Sequence, residues 1–140
     1  MSDKTFVDTN VLIYAHDLDA GAKHGVAKNV LAELWTERSG VLSPQVLQEF
    51  YVNVTRKIPS PLAKDVARLA VNSYALWCIG ITPAEIAAAF RIEDEFRLSF
   101  WDALIVASAA KSGAGRILSE DLNPGHFIAG IRIENPFAES

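Results

Sequence analysis

The pattern of apolar and polar residues alternates between short apolar runs and longer stretches in which apolar positions recur with helical spacing. The short runs predict buried strands at residues 5–8, 41–43, 76–81, 116–119 and 131–133. The longer stretches predict helices at residues 10–16, 22–38, 44–57, 61–74, 83–97 and 99–112. Short apolar strands that alternate with helices form a parallel sheet covered on both faces. The pattern therefore predicts an α/β fold.

Three of the predicted helices begin at the same signal, a hydroxyl residue followed by proline. The pairs are Ser43-Pro44, Ser60-Pro61 and Thr82-Pro83. A hydroxyl at this position accepts hydrogen bonds from the free backbone N–H groups of the helix, and proline suits the first helical position. Glu85 stands three residues after Thr82 and completes a capping box. We therefore predict N-caps at Ser43, Ser60 and Thr82.

An acid, Asp8, interrupts the apolar run at residues 5–15. An ionised carboxylate among apolar residues is costly unless hydrogen bonds, a cation or a metal ion compensate it. An aspartate between a strand and a helix is also a common helix cap, a role that Thr9 or Asn10 could share. Asp8 alone is therefore consistent with either capping or function.

Asp102 is the only charge in the otherwise apolar segment 98–110, which predicts a central, buried helix. Its place in the first turn lets it interact favourably with the helix dipole. That interaction is worth roughly 0.3–1 kcal/mol, whereas burying an unpaired ion costs several kcal/mol. Asp102 therefore needs a further partner, which favours a functional role.

Glu49 and Asp121 are weaker candidates when each is considered alone. Glu49 lies beside the apolar row of Val46 and Phe50, a position typical of a residue at the boundary of the core. Asp121 follows the predicted strand at 116–119, where acids are common in turns, and Glu120 is an equally plausible candidate. In open parallel sheets, ligands bind beyond the carboxyl ends of the strands. We therefore expect Asp8 and Asp121 to project over the same edge.

Together the four acids suit one chemistry. Oxygen-rich sites bind Mg²⁺ or Mn²⁺, which take few carboxylates directly and keep waters and substrate phosphates as their other ligands. Clustered carboxylates repel one another, so such a site is costly without a cation. One metal ion could generate hydroxide, and a second could stabilise the leaving oxygen of a phosphodiester.

The charge balance agrees with a clustered acidic site. Thirteen Lys and Arg residues face 17 Asp and Glu residues, a net charge of −4. The excess equals the four candidate acids, so it does not exclude a phosphate-bearing substrate. The candidate phosphate contacts Arg56, Lys57, Arg91 and Arg97 are each more typical of ordinary solvated charges.

Competing site patterns are missing from the sequence. The three histidines, His16, His24 and His126, lack metal-ligand spacing. The chain has neither a nucleophile elbow nor a phosphate-binding glycine-rich loop.

The bulk properties predict one cytoplasmic domain over residues 1–140. No apolar stretch approaches the roughly 20 residues of a membrane helix, because Asp8 and Asp102 interrupt the best candidates. Residues 1–4 lack the basic start and apolar core of a signal peptide. A single cysteine, Cys78, excludes a disulfide within the chain and is typical of a buried small hydrophobe.

Four segments in order resemble the motifs of the PIN-domain (PilT N-terminus) ribonucleases, particularly the VapC-like toxins of toxin–antitoxin systems. Residues 7–14 resemble the first motif, 43–50 the second, 100–105 the third and 119–121 the fourth. Each motif is weak alone, but four in order at suitable spacing make a specific signal over about residues 6–122. In this family the motif acids bind metal and are catalytic, and here they are Asp8, Glu49, Asp102 and Asp121.

The resemblance implies Mg²⁺- or Mn²⁺-dependent endonucleolytic cleavage of RNA by water, leaving a 5′-phosphate and a 3′-hydroxyl. Asn10 and Ser119 would be secondary polar groups that orient a carboxylate or a metal-bound water. The implied fold is a three-layer α/β/α sandwich around a parallel sheet of four to five short strands. The implied partners are a second copy of the chain and an antitoxin whose C-terminal segment occupies the active-site groove.

One departure from the family concerns Asn123, which stands where many relatives carry a further acid. Asparagine can bind a metal or its water but brings no charge, so we expect a weaker second metal position. Two other functions stay open. One is a non-catalytic binding module in which the acids hold a structural cation. The other is an aspartyl-phosphate phosphotransferase with Asp8 as nucleophile, although that group usually wants an acid where Asn10 stands.

Overall fold

A computed structural model describes residues 3–122 and 125–138, and within them five short strands form one sheet. The strands are β1 (Thr5–Val7), β2 (Gly40–Val41), β3 (Arg116–Leu118), β4 (Phe127–Ile128) and β5 (Ile131–Glu134). Their order across the sheet is β2-β1-β3-β5-β4. All neighbours are parallel except β4, which pairs antiparallel with β5. The predicted α/β fold with a sheet of four to five strands is thus confirmed, and β4 is an addition too short to register as an apolar run.

Both faces of the sheet are buried. Successive residues of a strand point to opposite faces, and Phe6 and Val7 on β1 are both fully buried, as are Ile117 and, nearly so, Leu118 on β3. Sheets buried on both faces lie between two helical layers. The predicted three-layer arrangement follows from this pattern of burial.

Six α-helices in the described part of the chain accompany the sheet. They are α1 (Thr9–His16), α2 (Ala22–Glu37), α3 (Pro44–Val52), α4 (Lys64–Tyr74), α5 (Pro83–Phe96) and α6 (Phe100–Ser112). A π-helical turn at Asn53–Lys57 continues α3, so the predicted helix at 44–57 changes its hydrogen-bond pattern along its length. Within the described residues, no helix is long and apolar enough to cross a membrane.

The prediction of a strand at 76–81 is wrong. The chain forms a short 3₁₀ helix at Ala75–Trp77, and only an isolated bridge joins Leu42 to Cys78. The Trp77 ring packs 4.3 Å from the ring of Trp35, centroid to centroid, while the side chain of Leu76 is exposed. A short apolar run cannot be assigned by periodicity alone, and here it serves to bury one indole ring. Cys78 beside it is half-buried rather than buried.

The three predicted helix caps have different outcomes. Thr82 forms the full capping box, accepting from the N–H of Ala84 at 3.3 Å and donating its own backbone N–H to Glu85 at 2.8 Å. Ser43 occupies the N-cap position of α3, but its hydroxyl makes no capping hydrogen bond. Ser60 is not a cap, because α4 begins at Lys64 and the Ser60 hydroxyl instead donates to Asp19 at 2.9 Å. The prediction at Ser60 is therefore wrong.

The strand order places a crevice between the ends of β1 and β3. The chain leaves β1 for β2 on one side of the sheet, whereas it leaves β3 for β4 and then β5 on the other side. Connections that diverge from neighbouring strands open a crevice at their carboxyl ends, where ligands bind in open α/β sheets. Asp8 follows β1 directly, and Ser119 follows β3.

The contact between Gly40 and Trp77 yields a test of the packing. A Cβ atom at Gly40 would lie 2.8 Å from three atoms of the Trp77 ring. Because that indole is buried, we expect Gly40→Ala to lower the free energy of unfolding in urea by about 1–3 kcal/mol. The control is Gly25→Ala in α2, where an added Cβ meets nothing within 4 Å. Helix propensity predicts a gain of up to about 1 kcal/mol there. Equal stability of the Gly40→Ala and Gly25→Ala variants would contradict the close packing of Trp77 against Gly40.

Candidate active site

Asp8, Ser119 and Asp121 are positioned by the carboxyl ends of the two central strands β1 and β3. The backbone N–H of Asp8 donates to the carbonyl of Leu118 at 3.0 Å, which carries the β1–β3 pairing one residue beyond the strands. The N–H of Ser119 donates to the carbonyl of Glu134 at 2.9 Å, which ties the same edge to β5. Side chains that follow β1 and β3 are therefore held at one place by backbone hydrogen bonds.

Asp8 is the buried centre of this edge, with 7% of its surface exposed. Its Oδ1 accepts from the N–H of Thr9 at 2.7 Å, and its Oδ2 accepts from the hydroxyl of Ser119 at 2.7 Å. Burial raises the pKa of Asp8 to about 6, although both hydrogen bonds oppose the rise, and the charges of Asp121 and Asp102 add to it. Asp8 is also the N-cap of α1, so the capping role that the sequence left open is present.

Ser119 and Asn10 organise the loop that carries Asp121. The Ser119 hydroxyl is fully buried, donates to Asp8, and accepts from the N–H groups of Asp121 and Leu122 at 3.2 and 3.3 Å. Asn10 donates from Nδ2 to Oδ2 of Asp121 at 3.1 Å. Both predicted secondary polar residues therefore contact a predicted site acid or its backbone.

Glu49 reaches the same edge from α3. It is exposed, yet both of its carboxylate oxygens accept hydrogen bonds. Oε1 accepts from Gln45 Nε2 at 2.8 Å, and Oε2 accepts from Thr9 Oγ1 at 3.3 Å. The role of Gln45 was missed in the sequence, although its i, i+4 spacing to Glu49 on a helix is a signal for such a pair. Thr9 was considered only as a residue that could share the capping role of Asp8. Its contact with Glu49 joins α1 to α3, and no local sequence pattern relates the two residues.

Asp102 lies at the surface end of a buried helix. Most residues of α6 from Ala103 onward are buried, but Asp102 is half-buried and Trp101 is 62% exposed. The expectation that Asp102 is deeply buried is therefore wrong, because the first turn of α6 extends beyond the core. Its predicted need for a partner persists: burial still raises the pKa of Asp102, the Ser99 hydroxyl opposes the rise, and the charges of Asp121 and Glu49 add to it.

The four acids act on one another electrostatically. Asp8 is affected by Asp121 and Asp102, and Asp102 is affected by Asp121 and Glu49. Among the described residues, none of these four carboxylates forms a salt bridge. The four side chains differ in burial: Asp8 is buried, Asp102 is half-buried, and Glu49 and Asp121 are exposed. We call this set of four acids, which is open to solvent at Glu49 and Asp121, the acidic pocket.

Glu120 provides a contrast within the same loop. Its carboxylate accepts from the Tyr14 hydroxyl at 2.6 Å and pairs with the ammonium of Lys23. Burial raises the pKa of Glu120, but the hydrogen bonds from Lys23 and Tyr14 outweigh burial, and the pKa lies below its ordinary value. Adjacent acids therefore differ in environment: Glu120 has a cation, and Asp121 faces Asn10 and the other site acids. Of the two acids that the sequence left open, Glu120 and Asp121, these environments favour Asp121 as the candidate site acid.

The carboxylate oxygens fit a hard divalent cation by chemistry, without forming a closed cage. Within residues 3–122 and 125–138, no group of three or more acidic, histidine or cysteine side chains is gathered closely enough to hold a metal ion by itself. Mg²⁺ commonly binds through one or two carboxylates and keeps several waters. Each hydrogen-bonded oxygen of Asp8 still has a second lone pair for a ligand. Asn123, the predicted weak second position, lies outside the described residues.

Comparisons with known structures give the same fold. The chain is similar to the VapC20 toxin of Mycobacterium tuberculosis, a sarcin–ricin-loop-cleaving toxin, with 22% identity and a TM-score of 0.62 over 84% of this chain and 90% of that one. A toxin–antitoxin complex from Klebsiella pneumoniae matches with 21% identity and a TM-score of 0.69, covering 96% of this chain and 98% of that one.

A DNA-bound VapBC from Salmonella typhimurium matches with 18% identity and a TM-score of 0.68, over 97% of this chain and 99% of that one. No curated protein sequence matches the chain. The family model for the PIN domain matches residues 5–126, a span that begins with β1 and includes all four acids at the pocket. The chain therefore belongs to the PIN-domain family.

Proposed function

We propose that the chain is a divalent-metal-dependent endoribonuclease and the toxin of a toxin–antitoxin pair. The observation that carries the proposal is the pocket of four acids at the switch point of the sheet, none of them paired with a cation among the described residues. Placing uncompensated carboxylates together lowers stability, and a divalent cation removes that cost. Membership of the PIN-domain family supports the same chemistry.

The four acids have different roles in the proposed site, and these roles follow from how deeply each side chain is buried. Asp8, held by Ser119 and Thr9, is the fixed ligand, whereas Glu49, Asp102 and Asp121 lie nearer solvent, where an RNA strand can approach. When bound, Mg²⁺ or Mn²⁺ would lower the pKa of water and neutralise charge that develops on the phosphodiester. Ser119 and Asn10 keep the carboxylates of Asp8 and Asp121 aimed into the pocket.

The proposed partners come from the similar structures. The Klebsiella pneumoniae structure is a toxin–antitoxin complex, and the Salmonella typhimurium VapBC is bound to DNA. We propose that this chain likewise binds a cognate antitoxin, whose C-terminal segment covers the acidic pocket, and that the chain forms a homodimer. RNA as substrate is supported by the sarcin–ricin-loop cleavage of the Mycobacterium tuberculosis toxin.

Cleavage of a labelled RNA tests the function directly. We expect cleavage with Mg²⁺ or Mn²⁺, none with EDTA, and a loss of more than about 100-fold in Asp8→Asn and Asp102→Asn, since even groups that only orient a metal ligand cost about 10–100-fold. The matched control is Glu120→Gln, which removes a neighbouring acid that already has a cation. Circular dichroism checks that all variants fold. Undiminished cleavage in EDTA, or intact RNA with folded wild-type protein, would overturn the proposal.

The raised pKa of Asp8 predicts a pH-dependent stability difference. The pKa is about 6 when folded, against 3.8 for the unconstrained group, so the folded state binds the extra proton between these values. Ionised Asp8 therefore costs the metal-free protein about 3 kcal/mol at pH 7, and the cost disappears as the pH falls from about 6 to 4. Asp8→Asn lacks this effect. In EDTA, its stability relative to wild type should be higher at pH 7 than at pH 4 by up to that amount, as measured by urea denaturation. A stability difference between Asp8→Asn and wild type that does not change with pH would contradict the raised pKa of Asp8 as its cause.

The hydrogen bond from Gln45 to Glu49 predicts a role in metal affinity. Without it, the exposed Glu49 side chain loses one of two groups that hold it, and orienting contacts of this kind are worth about 10–100-fold. We expect Gln45→Ala to weaken Mn²⁺ binding about 10-fold, measured by electron paramagnetic resonance of free Mn²⁺. Gln48→Ala, an exposed glutamine on the same helix, is the control and should bind Mn²⁺ as the wild type does. Equal affinities of both variants would remove Gln45 from the site.

A further inference from the structure

Three aromatic side chains form a cluster that includes Trp101, the residue before Asp102 in the chain. We call Phe90, Phe100 and Trp101 the aromatic cluster; the ring centroids of Phe90 and Phe100 lie 5.8 Å apart, and those of Phe100 and Trp101 lie 5.2 Å apart. Phe100 packs against the core, whereas Phe90 is 53% and Trp101 62% exposed. Solvent-facing rings in contact with one another mark binding sites more often than isolated exposed residues do.

The cluster is continuous with the pocket along the chain. Trp101 directly precedes Asp102 in the first turn of α6, and consecutive Cα atoms lie about 3.8 Å apart. The connection from α5 to α6 contributes Arg97, which is exposed. Within the described ranges, no carboxylate forms a salt bridge with Arg97. An indole face and a guanidinium therefore lie on the chain within a few residues of a candidate catalytic acid.

The charges of the chain favour a base as the occupant. The net charge is −4, and the acids of the pocket repel phosphate when no metal is bound, so electrostatic attraction contributes little to RNA affinity. Stacking of bases on aromatic rings does not depend on net charge and is worth about 1–3 kcal/mol per base. Unpaired bases stack on aromatic rings and on arginine planes in sequence-specific RNA recognition. The aromatic cluster offers aromatic rings on which a base can stack. The exposed Arg97 is available to contact a phosphate of the RNA backbone.

The size of the patch argues against a second copy of the chain as its main occupant. Each aromatic side chain buries about 150–250 Å² when fully covered. The exposed parts of Phe90 and Trp101, with the adjacent Ile86 at 39% exposure, therefore total far less than the roughly 800 Å² that each partner contributes to a stable interface. The patch therefore suits a small planar group, such as one unpaired base, better than the surface of a protein partner.

We propose that Trp101 is a stacking platform for one unpaired base of the RNA substrate, next to the phosphodiester that is cleaved. The inference builds on the proposed ribonuclease function and adds a determinant of substrate choice. Phe100 supports the indole from the core side, and Phe90 extends the apolar surface. A single-stranded substrate, in which a base is free to leave its neighbours, is then preferred over a duplex.

The test measures binding of a fluorescent single-stranded RNA in the cleavage-inactive Asp8→Asn background, by anisotropy with Mg²⁺ present. We expect Trp101→Leu, which keeps an apolar side chain but removes the π-face, to weaken binding about 5- to 150-fold. Trp101→Phe should lose less than about 5-fold, and the loss for Trp101→Leu should persist when the salt concentration is raised, because stacking releases no counterions.

The matched control is Phe127→Leu. Phe127 is 66% exposed, but it lies on β4 near Thr5 and Arg116, at the opposite edge of the sheet from Asp8. Binding by this variant should equal that of the Asp8→Asn parent. Equal binding by Trp101→Leu and the parent would overturn the inference while wild-type cleavage leaves the proposed function standing. A Trp101→Leu protein that sediments as a smaller species and loses affinity in proportion would also overturn it, and would identify the cluster as an interface between copies.

If the wild type neither binds nor cleaves RNA, the ribonuclease proposal fails and this inference fails with it. That outcome is distinguishable from the others because it is observed before any change at Trp101.

Discussion

The hydrogen bond from Ser119 to Asp8 is the interaction on which the pocket depends. It joins two side chains that follow neighbouring strands, and the same hydroxyl accepts from two N–H groups of the next turn. Because Ser119 is fully buried, its hydroxyl would be costly without partners. One oxygen therefore fixes the orientation of the Asp8 carboxylate and the path of the loop that carries Asp121.

A gradient of solvent access follows from this arrangement. The buried end of the pocket is rigid because each oxygen of Asp8 has a donor, while its open end consists of Glu49 and Asp121 on exposed surface. A fixed carboxylate geometry and open access from solvent are competing demands on one site. The chain meets both by placing the buried Asp8 directly after a central strand and the accessible Glu49 and Asp121 on a helix and in a loop.

The parts of the structure that the sequence predicted are those in which local pattern and tertiary packing agree. Asp8 was recognisable because an acid in an apolar run has few explanations, and the capping box at Thr82 is a contact over three residues. The prediction of a helix start at Ser60 failed because the Ser60 hydroxyl donates a hydrogen bond to Asp19, a residue 41 positions away. The prediction that Asp102 is buried failed because apolar periodicity shows which helix is buried but not where along the helix axis the core ends. Likewise, the contact of Thr9 with Glu49 links residues 40 positions apart and has no local signal.

The distances along the chain across which the pocket is assembled have a consequence for synthesis. The contacts of Ser119 with Asp8 and of Asn10 with Asp121 each join residues 111 positions apart. Since a chain emerges from the ribosome from its N-terminus onward, Asp8 lacks its donor Ser119 until 111 further residues have been made. A nascent or prematurely ended chain that lacks β3 cannot order its acids. The acidic pocket is therefore completed only after β3 and the turn that follows it have been synthesised.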